Sequence, residues 1–242
     1  MLATTFKTRL KEKKYVAEGT MAFYLQKPEG FRFEAGQYVD VTLIGPSETD
    51  AEGNIRSLSI ASAPADEHLL VTTRMRDTAF KRVLRTIAFD TEIQLDGPLG
   101  SFTLHKNPSK AAVFLAGGIG ITPFFSIIRH AEKEKLPHKL YLFYSNRRPE
   151  DTAFMKELLD SEKENPNFRF IPSMTEMNKS TQSWSGEAGF INGEMLAKYL
   201  TTLQGPIYYV AGPPAMVTAM RKTLTAAGVD EDDVRVEEFA GY

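Results

Sequence analysis

Along the first hundred residues, apolar side chains come in short runs whose members alternate with polar ones. In the clearest of them Val39, Val41 and Leu43 alternate with Tyr38, Asp40 and Thr42, the two-residue period of a strand with one buried face. Similar β-rich runs fall at 20–26, 36–44, 56–62, 69–73 and 92–95, bounded by Pro, Gly and Asp. Short strands at that spacing predict an antiparallel barrel or sandwich. One helix is expected among them, at 78–88, where Phe80, Val83, Leu84 and Ile87 fall near one face.

The pattern changes beyond Phe102. The polar stretch Lys106-Asn107-Pro108-Ser109-Lys110 reads as a linker. After it, strands at 111–116, 139–144, 168–172, 207–211 and 234–239 alternate with helices at 123–134, 152–163 and 214–227. Such alternation predicts a parallel sheet with helices on both faces. The expected organisation is two domains, an antiparallel β-barrel over residues 1–105 and an α/β parallel-sheet domain over 106–242. Residues 174–193 have no regular period and read as a long loop carrying the only tryptophan, Trp184.

Composition removes several classes of chemistry. The 242 residues are 42% hydrophobic and 25% charged, with a formal net charge of −2. That balance gives no electrostatic reason to expect a nucleic-acid or anionic-membrane partner. Cysteine is absent, which excludes disulfides, thiolate zinc sites, cysteine nucleophiles and Cys-held iron–sulfur clusters within these residues. No run approaches the roughly 20 apolar residues of a membrane span, and the first residues lack the apolar core of a signal peptide. A cytoplasmic location is expected. His68, His105, His130 and His138 fall in no ligand spacing and are expected at the surface. The acidic run 230–233 lacks the alternating pattern of a calcium loop, so no metal site is expected.

Four segments carry candidate chemistry. Phe114-Leu115-Ala116-Gly117-Gly118-Ile119-Gly120-Ile121-Thr122-Pro123 ends a buried strand in three glycines and opens a helix with an early proline. Glycines there let backbone amides approach a pyrophosphate whose charge the helix N-terminus favours. The strict dinucleotide fingerprint is not matched, and a tight turn without a ligand is the alternative. Arg56-Ser57-Leu58-Ser59-Ile60-Ala61-Ser62 offers a guanidinium fork and hydroxyls to a phosphate, or is a solvated strand. Thr78 marks a helix start whose Ala79 and Phe80 amides form a second anion site, or has an ordinary capping role. Tyr208-Tyr209-Val210-Ala211-Gly212-Pro213-Pro214-Ala215-Met216 repeats the strand–turn–helix theme, with Gly212 leaving room across a strand end.

Taken in order, R-S-L-S-I-A-S, the turn G-P-L-G-S-F at 97–102, G-G-I-G-I-T-P and V-A-G-P-P-A-M resemble the ferredoxin–NADP reductase family over nearly the whole chain. The resemblance implies an FAD-binding barrel followed by a nicotinamide-nucleotide domain, without an iron–sulfur module. It implies that Arg56 and Ser57 reach FAD, with Arg56 at the pyrophosphate. Leu58 and Ser59 would lie against the isoalloxazine, Ser59 near N5, and Thr78 would help hold the pyrophosphate. Gly117, Gly118, Gly120, Thr122 and Pro123 would line the nucleotide's path, with Gly212 and Pro213 bordering the nicotinamide pocket. Glu237-Glu238-Phe239 resembles the family's terminal acid and aromatic. Glu237 would help proton balance, and either Phe239 or Tyr242 would cover the flavin. Two departures are Leu58, where the family usually has an aromatic residue, and Ala211, where many members have cysteine.

The activity so implied is hydride transfer from NADPH or NADH to bound FAD, then electron transfer to a separate ferredoxin, flavodoxin or other acceptor. The alternatives are a free-flavin or ferric-chelate reductase, and a non-catalytic flavin- or nucleotide-binding regulatory module. Nicotinamide choice turns on the residues after the strand at 139–144, where an acid marks NAD. Here Ser145-Asn146-Arg147-Arg148 precede the first carboxylate, Glu150. Ser145 and Arg147 are therefore expected to contact the adenosine end, and the balance favours NADPH.

Overall fold

The computed structural model describes residues 4–239. Strands β1 (Thr4–Ala17), β2 (Thr20–Gln26), β3 (Tyr38–Leu43), β4 (Ile55–Ser59), β5 (His68–Arg74) and β6 (Glu92–Leu99) form one antiparallel sheet in the order β4-β3-β6-β1-β2-β5. An Ile60–Val71 bridge brings the end of β4 to β5, so the sheet curls back on itself as a barrel. In β3 the expected alternation holds: Val39, Val41 and Leu43 point inward. The helix α1 (Ala79–Thr86) buries Phe80, Val83 and Leu84 against the barrel core.

The strand at 4–17 escapes sequence reading for a physical reason. Among its 14 residues only Thr8 and Leu10 are fully buried. The rest present Lys and Arg to solvent, where Lys7 and Lys11 meet Glu92 and Asp90 at 2.8 and 2.6 Å. A strand this polar gives almost no hydrophobic period. It is nonetheless central, pairing with β2 along one stretch and β6 along another.

The second sheet is parallel. It comprises β7 (Ala112–Gly117), β8 (Leu140–Asn146), β9 (Phe168–Met174), the short β10 (Glu187–Ala188), β11 (Ile207–Gly212) and β12 (Val234–Glu238), ordered β10-β9-β8-β7-β11-β12. Helices α2 (Ile121–Lys133) and α3 (Met155–Glu164) cover one face, while α4 (Gly193–Tyr199) and α5 (Pro214–Ala226) cover the other. Strands β7 and β11 are wholly buried. The stretch expected as one long loop contains β10 and runs up to α4. Asn192 caps that helix, accepting from the Met195 amide at 2.9 Å.

The two sheets share a core. Ala22, Ala35, Ala61, Leu70 and Phe102 from the barrel side pack in one cluster with Phe114, Phe124, Ile127 and Tyr209. Asp66 on the barrel takes ion pairs from Arg129 and Lys133 of α2, at 3.4 and 2.5 Å. His105 and His138, expected at the surface, are instead buried to 7% exposure. The His105 amide donates to the Tyr209 hydroxyl at 2.8 Å, and its ring nitrogens lie 3.0 Å from that hydroxyl and from the Lys110 carbonyl oxygen. His138 Nε2 donates to the His105 carbonyl at 2.9 Å. These histidines fasten the connection between the sheets. Among the described residues no group of three or more His, Asp or Glu side chains is arranged to hold a metal ion.

Candidate functional site

The order of the parallel sheet places the site. From β7 the chain moves outward through β8, β9 and β10, then returns across to β11 and β12. The reversal leaves a crevice beyond the carboxyl ends of β7 and β11, the usual ligand position in such sheets. Both strand ends are glycine there. Gly117 and Gly212 face one another so closely that a Cβ on Gly212 would lie 3.2 Å from the Gly117 backbone.

The glycines of the turn do different work. A Cβ on Gly120 would sit 2.2 Å from the Ala211 carbonyl oxygen and 2.8 Å from the Gly212 Cα, so only glycine lets the turn nest against β11. Gly118 has φ +53°, a left-handed conformation, and its nearest neighbour would be Arg74 Nη1 at 3.9 Å. Its open side is where a ligand can lie against the backbone. Thr122 and Pro123 are buried. The Thr122 hydroxyl donates to the Ile119 carbonyl at 3.0 Å, so it braces the turn.

Beside β11, β12 carries Arg235 and Glu237, and Phe239 follows its last residue. Arg235 lies over the Tyr209 ring at 5.1 Å and donates to the Thr103 carbonyl at 2.8 Å. Glu237 pairs with Ala211 in the ladder. Its Oε2 is buried and has no hydrogen-bond partner, and burial pushes its carboxyl up to about 7. An orphaned, protonatable oxygen at a strand end is a good fit for a ligand atom that exchanges a proton. The Phe239 amide donates to the Gly212 carbonyl at 3.0 Å, and its side chain packs against the shared core. Tyr242 lies outside the described residues.

A second cluster gathers on the barrel at the start of α1. The Arg56 guanidinium lies over the Phe80 ring at 5.1 Å and donates to Glu52 Oε2 at 2.7 Å. Lys81 is buried within α1, and its ammonium is lowered to about 8, by burial first and then by Arg76 and Arg56 nearby. Three cations crowded at a helix N-terminus form an electrostatic cradle for an anion. An internal carboxylate already illustrates this: Asp50 accepts from the Ala79 amide at 2.7 Å, where a phosphate oxygen would accept. Thr78 caps Lys81 at 3.4 Å. Ser57 donates to Asp40 at 2.5 Å, Leu58 is half-buried against the barrel core, and Ser59 is buried. The structure brings Arg56 and Thr78, expected from the sequence, near Lys81 and Arg76, which the sequence analysis did not single out. Their signal was the run of basic residues at 74, 76 and 81, which spans a strand end, a turn and a helix start and so follows no single period.

The cradle and the Gly118 opening are the observations that fit a flavin dinucleotide and a nicotinamide dinucleotide. The first asks for a diphosphate-sized anion site beside a flat apolar wall. The second asks for backbone approach at a sheet's switch point.

The chain is similar to known proteins. Residues 114–222 match the family described as oxidoreductase NAD-binding domain. The phenol hydroxylase P5 protein of Acinetobacter pittii is 29% identical over 89% of this chain and 60% of its own length. The reductase component of propane 2-monooxygenase from Mycolicibacterium smegmatis is 30% identical over 88% of this chain and 61% of its own length. The chain thus spans about three fifths of these relatives. Among solved structures, a ferredoxin NADP+ reductase from Neisseria gonorrhoeae with bound FAD and NADP aligns with a TM-score of 0.80 at 22% identity, covering 97% of this chain and 98% of that one. A cytochrome P450 reductase from Amycolatopsis aligns at 0.83 and 23% identity, covering 98% and 70%.

Proposed function

We propose that this chain, which belongs by fold and by its nucleotide domain to the ferredoxin–NADP reductase family, is an FAD-dependent oxidoreductase. It takes hydride from a reduced nicotinamide dinucleotide and passes electrons to an external acceptor such as a ferredoxin or flavodoxin. The observation that carries the reading is the switch-point crevice: an open Gly118 turn on β7 and an unpartnered, protonatable Glu237 two strands away on β12. Bound FAD supplies hydride acceptance and electron release in one- or two-electron steps. The protein's residues position it. Arg56, Arg76, Lys81 and the α1 amides would hold the diphosphate, Leu58 would cover one flavin edge, and Ser59 would place a hydroxyl at N5. Gly117, Gly118, Gly212 and Pro213 would admit the nicotinamide, and Phe239 would stand where that ring must enter. Arg74, between Gly118 and Asp151, would meet the nucleotide's phosphates.

Purified protein is expected to be yellow or to take up added FAD, and to bleach anaerobically with a reduced nicotinamide. A colourless protein that takes up no FAD overturns the reading. Yellow protein that neither nucleotide bleaches removes the role given to residues 117–123. In the same assay Ser59→Ala is expected to slow flavin reduction up to about tenfold, the worth of one hydrogen bond, with FAD retained. Unchanged kinetics remove the N5 role.

One observation favours a second reading, the free-flavin reductase. The β3–β4 loop turns two carboxylates into the cradle: Asp50 accepts from the Ala79 amide and Glu52 pairs with Arg56, both at 2.7 Å. Each must yield to a diphosphate, which weakens its hold. FAD lost on gel filtration, with turnover restored by added flavin, identifies this alternative. FAD retained identifies a prosthetic group.

A further inference from the structure

The loop between β3 and β4, residues 44–54, lies on the start of α1, and its acids take the donors there. Asp50 is the centre of the contact. Its Oδ2 accepts from the Ala79 amide at 2.7 Å, its Oδ1 from the Glu52 amide at 3.0 Å, and its carbonyl from the Gly53 amide at 3.0 Å. The carboxylate is thus aimed at α1 by its own loop. Arg56 is gripped in the same way. Its Nη2 donates to Glu52 Oε2 at 2.7 Å, and its Nη1 to the Ile55 and Glu52 carbonyls at 2.7 and 2.9 Å. Near them is Lys81, only 9% exposed, whose ammonium makes no hydrogen bond or ion pair among the described residues. A buried ammonium without a carboxylate of its own leaves the cluster short of an anion. The loop is free to turn at both ends. Gly45 and Gly53 have φ +54° and +72°, and a Cβ on either would meet nothing within 4 Å. Between them Glu48 meets Arg82 at 2.6 Å, an exposed pair of a kind that holds weakly.

A diphosphate at the start of α1 asks for the same Ala79 amide and the same guanidinium fork. One amide hydrogen cannot serve a carboxylate and a phosphate together, and their like charges repel at that distance. We propose that the 44–54 loop is an autoinhibitory strap, in which Asp50 and Glu52 stand in for the FAD diphosphate and are displaced when FAD loads, the loop turning outward about Gly45 and Gly53. Loading is then an exchange of one anion for another. Lys81 tips the exchange towards the diphosphate, since the strap leaves that ammonium unanswered. The strap acts on the phosphate end of the cofactor alone, so a flavin without phosphates is indifferent to it. The inference rests on the reductase reading, which supplies the FAD.

Two measurements test it. The first is equilibrium dialysis of the parent, Asp50→Asn and Glu52→Gln against FAD and against riboflavin, which carries no phosphate. Asparagine keeps an oxygen for the Ala79 amide, so α1 stays capped while the competing charge is removed. Each variant is expected to bind FAD about tenfold more tightly, the worth of one charge-assisted hydrogen bond, and riboflavin as the parent does. The second uses the parent alone, digested by a glutamyl endopeptidase with the fragments weighed by mass spectrometry. Saturating FAD is expected to speed cleavage after Glu48 and Glu52, where a ligand that merely stiffened the fold would slow it. FAD binding unchanged or weakened in both variants, or riboflavin gaining as much as FAD, overturns the strap while leaving the reductase reading intact. Cleavage at Glu48 and Glu52 that FAD slows or leaves unchanged also overturns it. If neither the parent nor the variants take up FAD, the reductase reading and this inference fall together.

Discussion

Gly120→Ala is expected to destabilise the protein by about 3 kcal/mol or more, enough to leave much of it unfolded at ordinary temperatures. The reason is backbone meeting methyl: the new Cβ would lie 2.2 Å from the Ala211 carbonyl oxygen and 2.8 Å from the Gly212 Cα. No rotamer relieves that contact, because both partners belong to β11 and its turn at the centre of the sheet. Either β7 and β11 separate or the turn refolds, and both lose core packing. Gly118→Ala is the informative companion. Its methyl would meet nothing closer than Arg74 Nη1 at 3.9 Å, and the left-handed backbone costs about 1–2 kcal/mol. Folding should survive, but the methyl would stand on the side proposed for the nucleotide, so KM for nicotinamide should rise at least tenfold. Urea denaturation and steady-state bleaching separate the two. A Gly120→Ala protein with an unchanged midpoint would show that the strand ends are not pressed together as described.

Glu237→Gln is expected to stabilise the protein at pH 8 while slowing turnover. Burial raises the Glu237 carboxyl to about 7 from 4.5, so between those values the folded chain holds a proton that the unfolded chain has released. Stability must therefore fall as pH rises from about 4.5 to 7 and level off above it. The full shift corresponds to about 3 kcal/mol, reduced towards about 2 kcal/mol by the solvent the group partly meets. The glutamine variant lacks this slope. It should match the parent near pH 4.5 and exceed it at pH 8 in ligand-free denaturation curves. If the carboxyl serves proton balance, flavin reduction in the variant should fall by about 10²-fold. A gain in stability without a loss of rate would make Glu237 a buried liability with no chemical role.

The sequence showed some of this and hid the rest for identifiable reasons. The alternation at 38–43 and the three-glycine turn are local patterns, so β3 and the β7 turn were visible at once. The strand at 4–17 was not, because its charges face water on both sides of a long, bent pairing. The short helix α4 was missed although Asn192 announced it, since one cap before seven residues is a weak signal against an irregular stretch. The contacts that define the site come from far apart. Glu18 and Arg148 are 130 positions apart, and His105 and Tyr209 are 104 apart. No local pattern carries such a pairing, so neither the ion pairs of Arg148 with Asp151 and Glu18 nor the burial of His105 and His138 could be read from the sequence.

The common core between the sheets bears on how such a chain can be recombined. Leu70 and Phe102 sit among the side chains of α2 and β7, and the connecting segment is fastened by His105 to Tyr209 of β11. A chimaera cut at the linker would splice two halves of one interior, each shaped to the other's side chains. Exchange of properties between relatives is therefore better attempted by single substitutions than by grafting a whole half. The heritable unit here is the pair.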